Sequence, residues 1–174
     1  MRIYIIGNSC TGKSTLAREL SQELKIPWYS TDDIFWLHKF HTSRPKEERL
    51  PMLHAILSTP NWIIEGASTS WTADAVAAAD IVVELKMHPV RLIARALRRH
   101  VRRKLGSGEG EETLRGVLQL CKYILDNERE GSPHRQRYIE LLTHIRGERV
   151  TVASRKHRQA LLEKLRHAVA PRNT

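Results

Sequence analysis

The residues with the most specific spacing lie near the start of the chain and read Gly7-Asn8-Ser9-Cys10-Thr11-Gly12-Lys13-Ser14-Thr15. This run matches the phosphate-binding pattern G-x-x-x-x-G-K-[ST] without a mismatch. In such a loop, backbone N–H groups surround the phosphates and the following helix adds partial positive charge. We expect Lys13 to reach the β- and γ-phosphates and the Ser14 hydroxyl to ligate Mg²⁺. The segment 7–15, called the phosphate loop below, is predicted to bind a nucleoside triphosphate.

Carboxylates stand at the ends of two other predicted strands. Asp32 and Asp33 follow the short segment 26–31, and Glu65 is the only charged residue of the apolar run 62–66. Ligands of open α/β sheets bind at the carboxyl ends of the strands, and an acid there can hold Mg²⁺ or its water shell. We therefore predict Ser14, Asp33 and Glu65 as the metal-linked group. The alternatives are a helix cap for the aspartates and an ordinary polar strand end for Glu65.

Arginines repeat along a predicted helix that Pro89 opens and that is expected to run to about Leu105. They are Arg91, Arg95, Arg98, Arg99, Arg102 and Arg103. Few acids lie nearby in the sequence, so the stripe favours anion binding, although a solvated helix surface is the alternative. The residues Ile93, Leu97, Val101 and Leu105 are predicted to form an apolar stripe, with Leu92 and Ala96 beside it.

Strands and helices alternate along the chain in a way that would place these groups together. Apolar strand patterns occupy residues 2–6, 26–31, 62–66, 81–85 and 150–153. Helical patterns cover about 14–24, 45–57, 72–79, 89–105, 112–129 and 134–145, with a last helix after residue 157. Residues 38–44 are predicted to be a loop. This alternation predicts an α/β fold with a parallel sheet, as one domain over residues 1–174.

Composition limits the class of protein but does not choose a substrate. The chain has 174 residues, 41% of them hydrophobic, and a net charge of +10. The charge is uneven, because residues 1–87 carry −1 and residues 88–174 carry +11. No apolar run approaches the ~18 residues of a membrane span, and Cys10 and Cys121 have no disulfide or metal-site pattern. We expect a cytoplasmic protein, either a monomer or a homodimer, without membrane partners.

The assembled pieces resemble small P-loop kinases of the adenylate kinase type, and among them the bacterial group labelled "DNA topology modulation protein". Residues 3–15, 30–36, 62–66 and 95–99 carry this resemblance. It implies a P-loop NTPase three-layer sandwich, a five-stranded parallel sheet of order 2-3-1-4-5, and Mg-ATP as phosphoryl donor. It also implies a small helical lid at roughly 99–133, between strands 4 and 5. Glu65 departs from the family, where Asp is more usual.

The resemblance also assigns roles to single residues. It implies that Arg95 and Arg99 neutralise the transferring phosphoryl group, so that Lys13, Arg95, Arg99 and Asp33 are the predicted catalytic residues. Arg155 lies in a segment that the resemblance places on the adenine side, although a cap of the last helix is the alternative. Trp36 and Trp71 are predicted to pack in the core in preference to stacking on a ligand.

These observations predict an ATP-dependent kinase that transfers the γ-phosphoryl group of Mg-ATP to a nucleoside monophosphate or a small hydroxyl compound. For a hydroxyl acceptor, Asp32 or Asp33 is the candidate base. The acceptor is expected between segments 33–58 and 66–72, under a lid formed by the glycine-rich segment 106–110. The alternative is a nucleic-acid-associated ATPase that uses the basic second half, but no helix-turn-helix, zinc or aromatic platform pattern favours it.

Overall fold

The computed structural model describes residues 1–38, 42–67, 71–105 and 113–169. The strands are β1 (Arg2–Gly7), β2 (Trp28–Ser30), β3 (Trp36–His38), β4 (Thr42–Ser43), β5 (Trp62–Gly66), β6 (Ile81–Leu85) and β7 (Glu148–Val152). Five of them form one parallel sheet in the order β2-β5-β1-β6-β7. When only these five strands are numbered along the chain, without β3 and β4, the order is 2-3-1-4-5, which confirms the predicted fold class and topology.

Eight helices connect the strands in the described part of the chain. They are α1 (Lys13–Leu24), α2 (Thr31–Phe35), α3 (Lys46–Leu57), α4 (Ala73–Ala78), α5 (Pro89–Lys104), α6 (Leu114–Glu128), α7 (Pro133–Thr143) and α8 (Arg155–Val169). The predicted loop at 38–44 is partly wrong, because β3 and β4 pair there as a short antiparallel ladder. Strands this short carry almost no periodic signal in the sequence.

The sheet is covered on both faces, because successive side chains of a strand point to opposite sides. Ile3 and Ile5 belong to a core that includes Leu16 and Leu20 of α1 and Leu165 of α8. Their neighbours Tyr4 and Ile6 belong to a second core, built with Leu53, Ala75 and Leu141 of α3, α4 and α7. The result is the predicted three-layer sandwich, with the ends of the strands left for ligands.

Helix α5 docks mainly through the residues predicted to lie beside its apolar stripe, and not through most of the stripe itself. Its buried residues are Leu92, Ala96 and His100, and Leu92 and Ala96 pack with Ile124 of α6. Leu97, Val101 and Leu105 of the predicted apolar stripe are exposed by 44%, 54% and 76%. Both stripes have a spacing of four residues, so periodicity alone does not choose between them. The observed face turns Arg95 toward the phosphate loop.

No helix in the described ranges is long and apolar enough to span a membrane. The single-domain organisation and the lid at 99–133 stay predictions. Residues 106–112, which contain the glycine-rich segment of that lid, lie outside the described residues.

Candidate active site

The phosphate loop joins β1 to α1 through backbone conformations that favour glycine. Gly12, directly before α1, has a φ of 101°, and Cys10 also has a positive φ of 63°. Gly7 packs so closely against β6 that an added Cβ atom would lie 2.6 Å from the carbonyl oxygen of Leu85. The two glycines of the motif are therefore required here by backbone conformation and by close approach.

Hydrogen bonds within the loop centre on Asn8. Its carbonyl oxygen accepts from Thr11 Oγ1 at 2.8 Å and from Lys13 Nζ at 3.1 Å. Its side chain accepts from the Ser9 N–H at 2.7 Å and donates to the Ile124 carbonyl of α6 at 3.0 Å. Asn8 thus ties the loop to α6, a role that the sequence motif did not reveal because the pattern allows any residue there.

Lys13 lies across the mouth of the loop in a charged environment. Burial lowers the pKa of its ammonium group, while the negative charges of Glu65 and Asp32 act in the opposite direction. The contact with the Asn8 carbonyl holds the ammonium above the loop backbone. This is the position from which a lysine can pair with phosphate oxygens.

Ser14 and Glu65, two of the three residues of the predicted metal-linked group, lie in contact. Ser14 Oγ donates to Glu65 Oε1 at 2.9 Å, and Glu65 is only 4% exposed at the end of β5. Glu65 pairs in register with Ile5 of β1 and Ser30 of β2, which places it between the phosphate loop and the aspartates. A hydroxyl beside a carboxylate is an oxygen donor set that suits Mg²⁺. No group of three or more acid, His or Cys side chains able to hold a metal was found in the described ranges.

Asp32 and Asp33 lie in the first turn of α2, and both side chains are exposed. Ser30 caps this helix, since its hydroxyl accepts from the Asp32 N–H at 3.3 Å. The aspartates are therefore not the cap itself. Asp32 influences Lys13 electrostatically, whereas the predicted role of Asp33 in catalysis and metal binding stays a prediction.

Arg95 reaches the phosphate loop from α5. Its Nη1 donates to the carbonyl oxygens of Cys10 and Thr11, each at 3.2 Å. Arg99 lies one helical turn further along α5 and is exposed. The structure thus joins Arg95 to the loop, and the catalytic roles of both arginines stay predictions.

Arg155 is exposed in the first turn of α8. The preceding Ser154 accepts from the His157 N–H at 3.1 Å through its hydroxyl, so the segment caps α8 as the simpler alternative proposed. Since a cap and an adenine contact are compatible, the predicted role of Arg155 in nucleotide binding is neither strengthened nor removed.

Glu84 is a buried acid that sequence reasoning missed. It accepts from Tyr138 Oη at 3.0 Å, from Arg149 Nη2 at 2.8 Å and from Thr151 Oγ1 at 3.3 Å. Burial alone would raise its pKa, but the hydrogen bonds from Arg149 and Tyr138, with the positive charges of Arg149 and Lys86, lower it overall. The available signal was a single charged residue within the apolar run Ile81–Leu85.

Trp71 packs in the core as predicted, with 8% exposure, whereas Trp36 is partly exposed and contacts Phe35 edge-on. The guanidinium of Arg49 lies 4.6 Å from the ring centre of Phe35 and 5.9 Å from that of Trp71. Phe35 and Arg49 thus contact each other within the segment 33–58, where the acceptor was expected.

Known proteins resemble this chain in sequence and in fold. No family model matches the chain. The chain is 32% identical over 130 residues to the uncharacterized protein YqaC of Bacillus subtilis (strain 168), with 72% of each protein covered. The chain belongs to the YqaC family. Because YqaC itself is uncharacterized, this membership brings no activity with it.

Solved structures of other proteins share the fold of this chain. A shikimate kinase from Bacteroides thetaiotaomicron superposes with a TM-score of 0.59 at 17% identity, covering 97% of this chain and 98% of that one. A sugar kinase from Janibacter sp. HTCC2649 gives a TM-score of 0.53 at 14% identity, covering 98% and 95%. The resemblance to small P-loop kinases is thus confirmed for the fold. The adenylate kinase type and the DNA topology modulation group stay predictions.

Proposed function

We propose that this protein is an ATP-dependent phosphotransferase that acts on a small-molecule acceptor, either a nucleoside monophosphate or a hydroxyl compound. The observation that carries the proposal is the convergence at the phosphate loop of Lys13 Nζ, the Ser14–Glu65 pair and the Arg95 guanidinium. The names of the structural neighbours, kinases of different small molecules, support it.

The donor side of the reaction would use the loop as a cradle for the triphosphate. Backbone N–H groups of residues 7–15 would bind the phosphate oxygens, and Lys13 would pair with the β- and γ-phosphates. Ser14 with Glu65, and Asp33 from α2, would hold the Mg²⁺ ion, which when bound neutralises phosphate charge. Arg155 at the start of α8 is our candidate for the adenine side.

Transfer breaks the bond between the γ-phosphorus and its bridging oxygen and forms a bond from that phosphorus to the acceptor oxygen, releasing ADP. A nucleoside monophosphate attacks through a phosphate oxygen that carries no proton. A hydroxyl acceptor must lose its proton, and Asp33 or Asp32 would accept it. Because the reaction depends on positioning and charge neutralisation, Arg95 and Arg99 would stabilise the transition state.

The test is a coupled assay of ADP release with Mg-ATP and a panel of nucleoside monophosphates and small hydroxyl metabolites. Lys13→Ala should lower kcat by about 100-fold or more, because a pre-positioned charge on the reacting phosphates is lost. Lys122→Ala, which changes an exposed lysine of α6, is the matched control and should keep wild-type activity. Arg99→Ala should lower kcat more than it weakens ATP binding.

Two results would contradict the proposal. Wild-type turnover by Lys13→Ala would remove the phosphate loop from the mechanism. DNA-stimulated ATP hydrolysis with saturable, salt-resistant DNA binding, and no transfer to any small molecule, would favour the nucleic-acid-associated ATPase instead.

A further inference from the structure

A cavity of about 500 Å³ opens beside the phosphate loop at the carboxyl ends of β5, β1, β6 and β7, where Ala67, Gly7, Leu85 and Ala153 line it. Its wall begins at Gly7 and Asn8, continues along the residues that follow β6, and ends on α6 and α7. Pockets for small molecules usually measure roughly 300–1,000 Å³. The cavity is therefore large enough for a metabolite, and it shares a wall with the predicted phosphate site.

Positive charge prevails in this cavity. Lys86, Arg91 and Arg135 line it, and in the described ranges neither arginine forms an ion pair. Two acids also line the cavity: Glu84 is paired with Arg149 and, at 3.6 Å, with Lys86, whereas Glu128 keeps its charge and accepts from the neutral Asn8 amide at 3.2 Å. The unpaired arginines make the cavity suited to an anionic group, which a guanidinium binds through two parallel hydrogen bonds.

The first turns of α7 hold Arg135 in place from both sides. Ser132, which is 2% exposed, accepts from the Arg135 N–H at 3.1 Å and donates to the Asp126 carbonyl of α6. One turn after Arg135, the Tyr138 hydroxyl donates to Glu84 of β6 at 3.0 Å. The backbone of Arg135 is thus fixed between two elements.

We propose that this cavity is the acceptor site and that the acceptor carries a carboxylate or a phosphate monoester, which Arg135 and Arg91 bind. This inference rests on the proposed function. Because Gly7 and Asn8 belong both to the cavity wall and to the phosphate loop, an acceptor anchored by the arginines presents its nucleophilic oxygen at the loop. The acceptor site then differs from the one that the sequence predicted, between segments 33–58 and 66–72.

The experiment compares matched anionic and neutral compounds: gluconate with glucose, glycerol 3-phosphate with glycerol, and adenosine monophosphate with adenosine. Binding of each is measured by calorimetry in the presence of ADP, on the wild type and on Arg135→Gln, Arg91→Gln and Arg137→Gln. Arg137 is the control, since it is exposed, lies outside the cavity and donates to the Pro133 carbonyl of its own helix at 3.2 Å.

We expect at least one acid to bind more tightly than its neutral partner. Arg135→Gln and Arg91→Gln should each weaken that acid roughly 10- to 100-fold, the usual effect of a lost hydrogen bond to a charged group, without changing ADP affinity. Arg137→Gln should leave it unchanged. Carboxylate and phosphate acceptors are distinguished by which pairs show the preference.

The proposal is overturned if no acid binds better than its neutral partner, or if Arg135→Gln and Arg137→Gln behave alike. The cavity assignment is also refuted if the protein phosphorylates a small molecule whose KM is the same in the wild type and in Arg135→Gln. That result would leave the kinase function intact. Conversely, acid binding that depends on Arg135 in a protein that transfers no phosphoryl group would keep the cavity assignment and remove the proposed function.

Discussion

Replacing Glu84 by Gln removes one buried charge while almost keeping the shape of the side chain. The carboxylate is 2% exposed and receives hydrogen bonds from Tyr138, Arg149 and Thr151. In Glu84→Gln these become bonds to a neutral group, and one acceptor oxygen is replaced by an NH₂ donor that faces other donors. We therefore expect the free energy of unfolding to fall.

The decrease in the free energy of unfolding depends on how exposed each hydrogen-bonding partner of Glu84 is. A hydrogen bond to a charged group contributes ~1.5–3 kcal/mol and a neutral one ~0.5–1.5 kcal/mol, so the partly buried Tyr138 bond should lose about 1 kcal/mol. The Arg149 side chain is 43% exposed, and solvent screening reduces its share to about 1 kcal/mol or less. Glu84→Gln should thus cost about 2 kcal/mol. Glu84→Ala, which leaves Tyr138 and Arg149 without an acceptor, should cost about 3–4 kcal/mol.

Urea unfolding at neutral pH measures this difference through the shift of the midpoint at a constant m-value. Glu148→Gln is the control, because Glu148 pairs with Lys164 on the surface and the two side chains are 48% and 51% exposed. Glu148→Gln should lower the free energy of unfolding by less than about 1 kcal/mol. If Glu84→Gln and Glu148→Gln were equally stable, the Glu84 network would be no stronger than a surface pair and the reasoning would fail.

Three further predictions use simpler measurements. The folded-state pKa of Glu84 lies below its ordinary value of 4.5. The stabilisation by Glu84 is therefore complete above pH 4.5 and is lost as the pH falls through the folded-state pKa. In an acid titration, the free energy of unfolding of Glu84→Gln should decline less than that of the wild type. Gly7→Ala places a Cβ atom 2.6 Å from the Leu85 carbonyl oxygen and should lose about 1–3 kcal/mol together with ATP affinity, measured by thermal unfolding and ATP titration. Leu20→Ala, at a fully buried core position, should lose about 2–5 kcal/mol in urea, whereas Leu114→Ala, 57% exposed, should lose little.

The parts of the fold that could be predicted are those with a strong local signal. Apolar strand runs such as Ile81–Leu85 and the phosphate loop motif identify their own conformation, and parallel topology follows from the alternation with helices. The docking face of α5 could not be predicted, because two apolar stripes have the same spacing. The position of the neighbouring helix α6 decides between them, and this is a property of the whole fold.

Some candidate site residues could likewise be proposed from the sequence, whereas others could not. Lys13, Ser14 and Glu65 could be proposed from the sequence, because Lys13 and Ser14 belong to a motif and Glu65 lies near the end of an apolar strand. The Glu84 network could not, since Tyr138 and Arg149 lie 54 and 65 residues further along the chain. The arginine cavity was missed for a similar reason: Arg91 belongs to the arginine stripe of α5, but nothing in the sequence links it to Arg135, which lies on a different helix.

Glu65 and Glu84 are similar residues in different roles, and the hydrogen bonds explain why. Both are buried at the ends of strands next to β1, on opposite faces of the sheet, where Glu65 lies toward α1 and Glu84 toward α7. A carboxylate has about four acceptor positions. Glu84 uses most of them on Tyr138, Arg149 and Thr151, whereas in the described ranges Glu65 accepts a hydrogen bond only from Ser14. An acid whose acceptor positions are mostly used stabilises the fold, whereas an acid with free acceptor positions can still bind a cation. This difference supports the proposal that Glu65, and not Glu84, is the acid of the donor site.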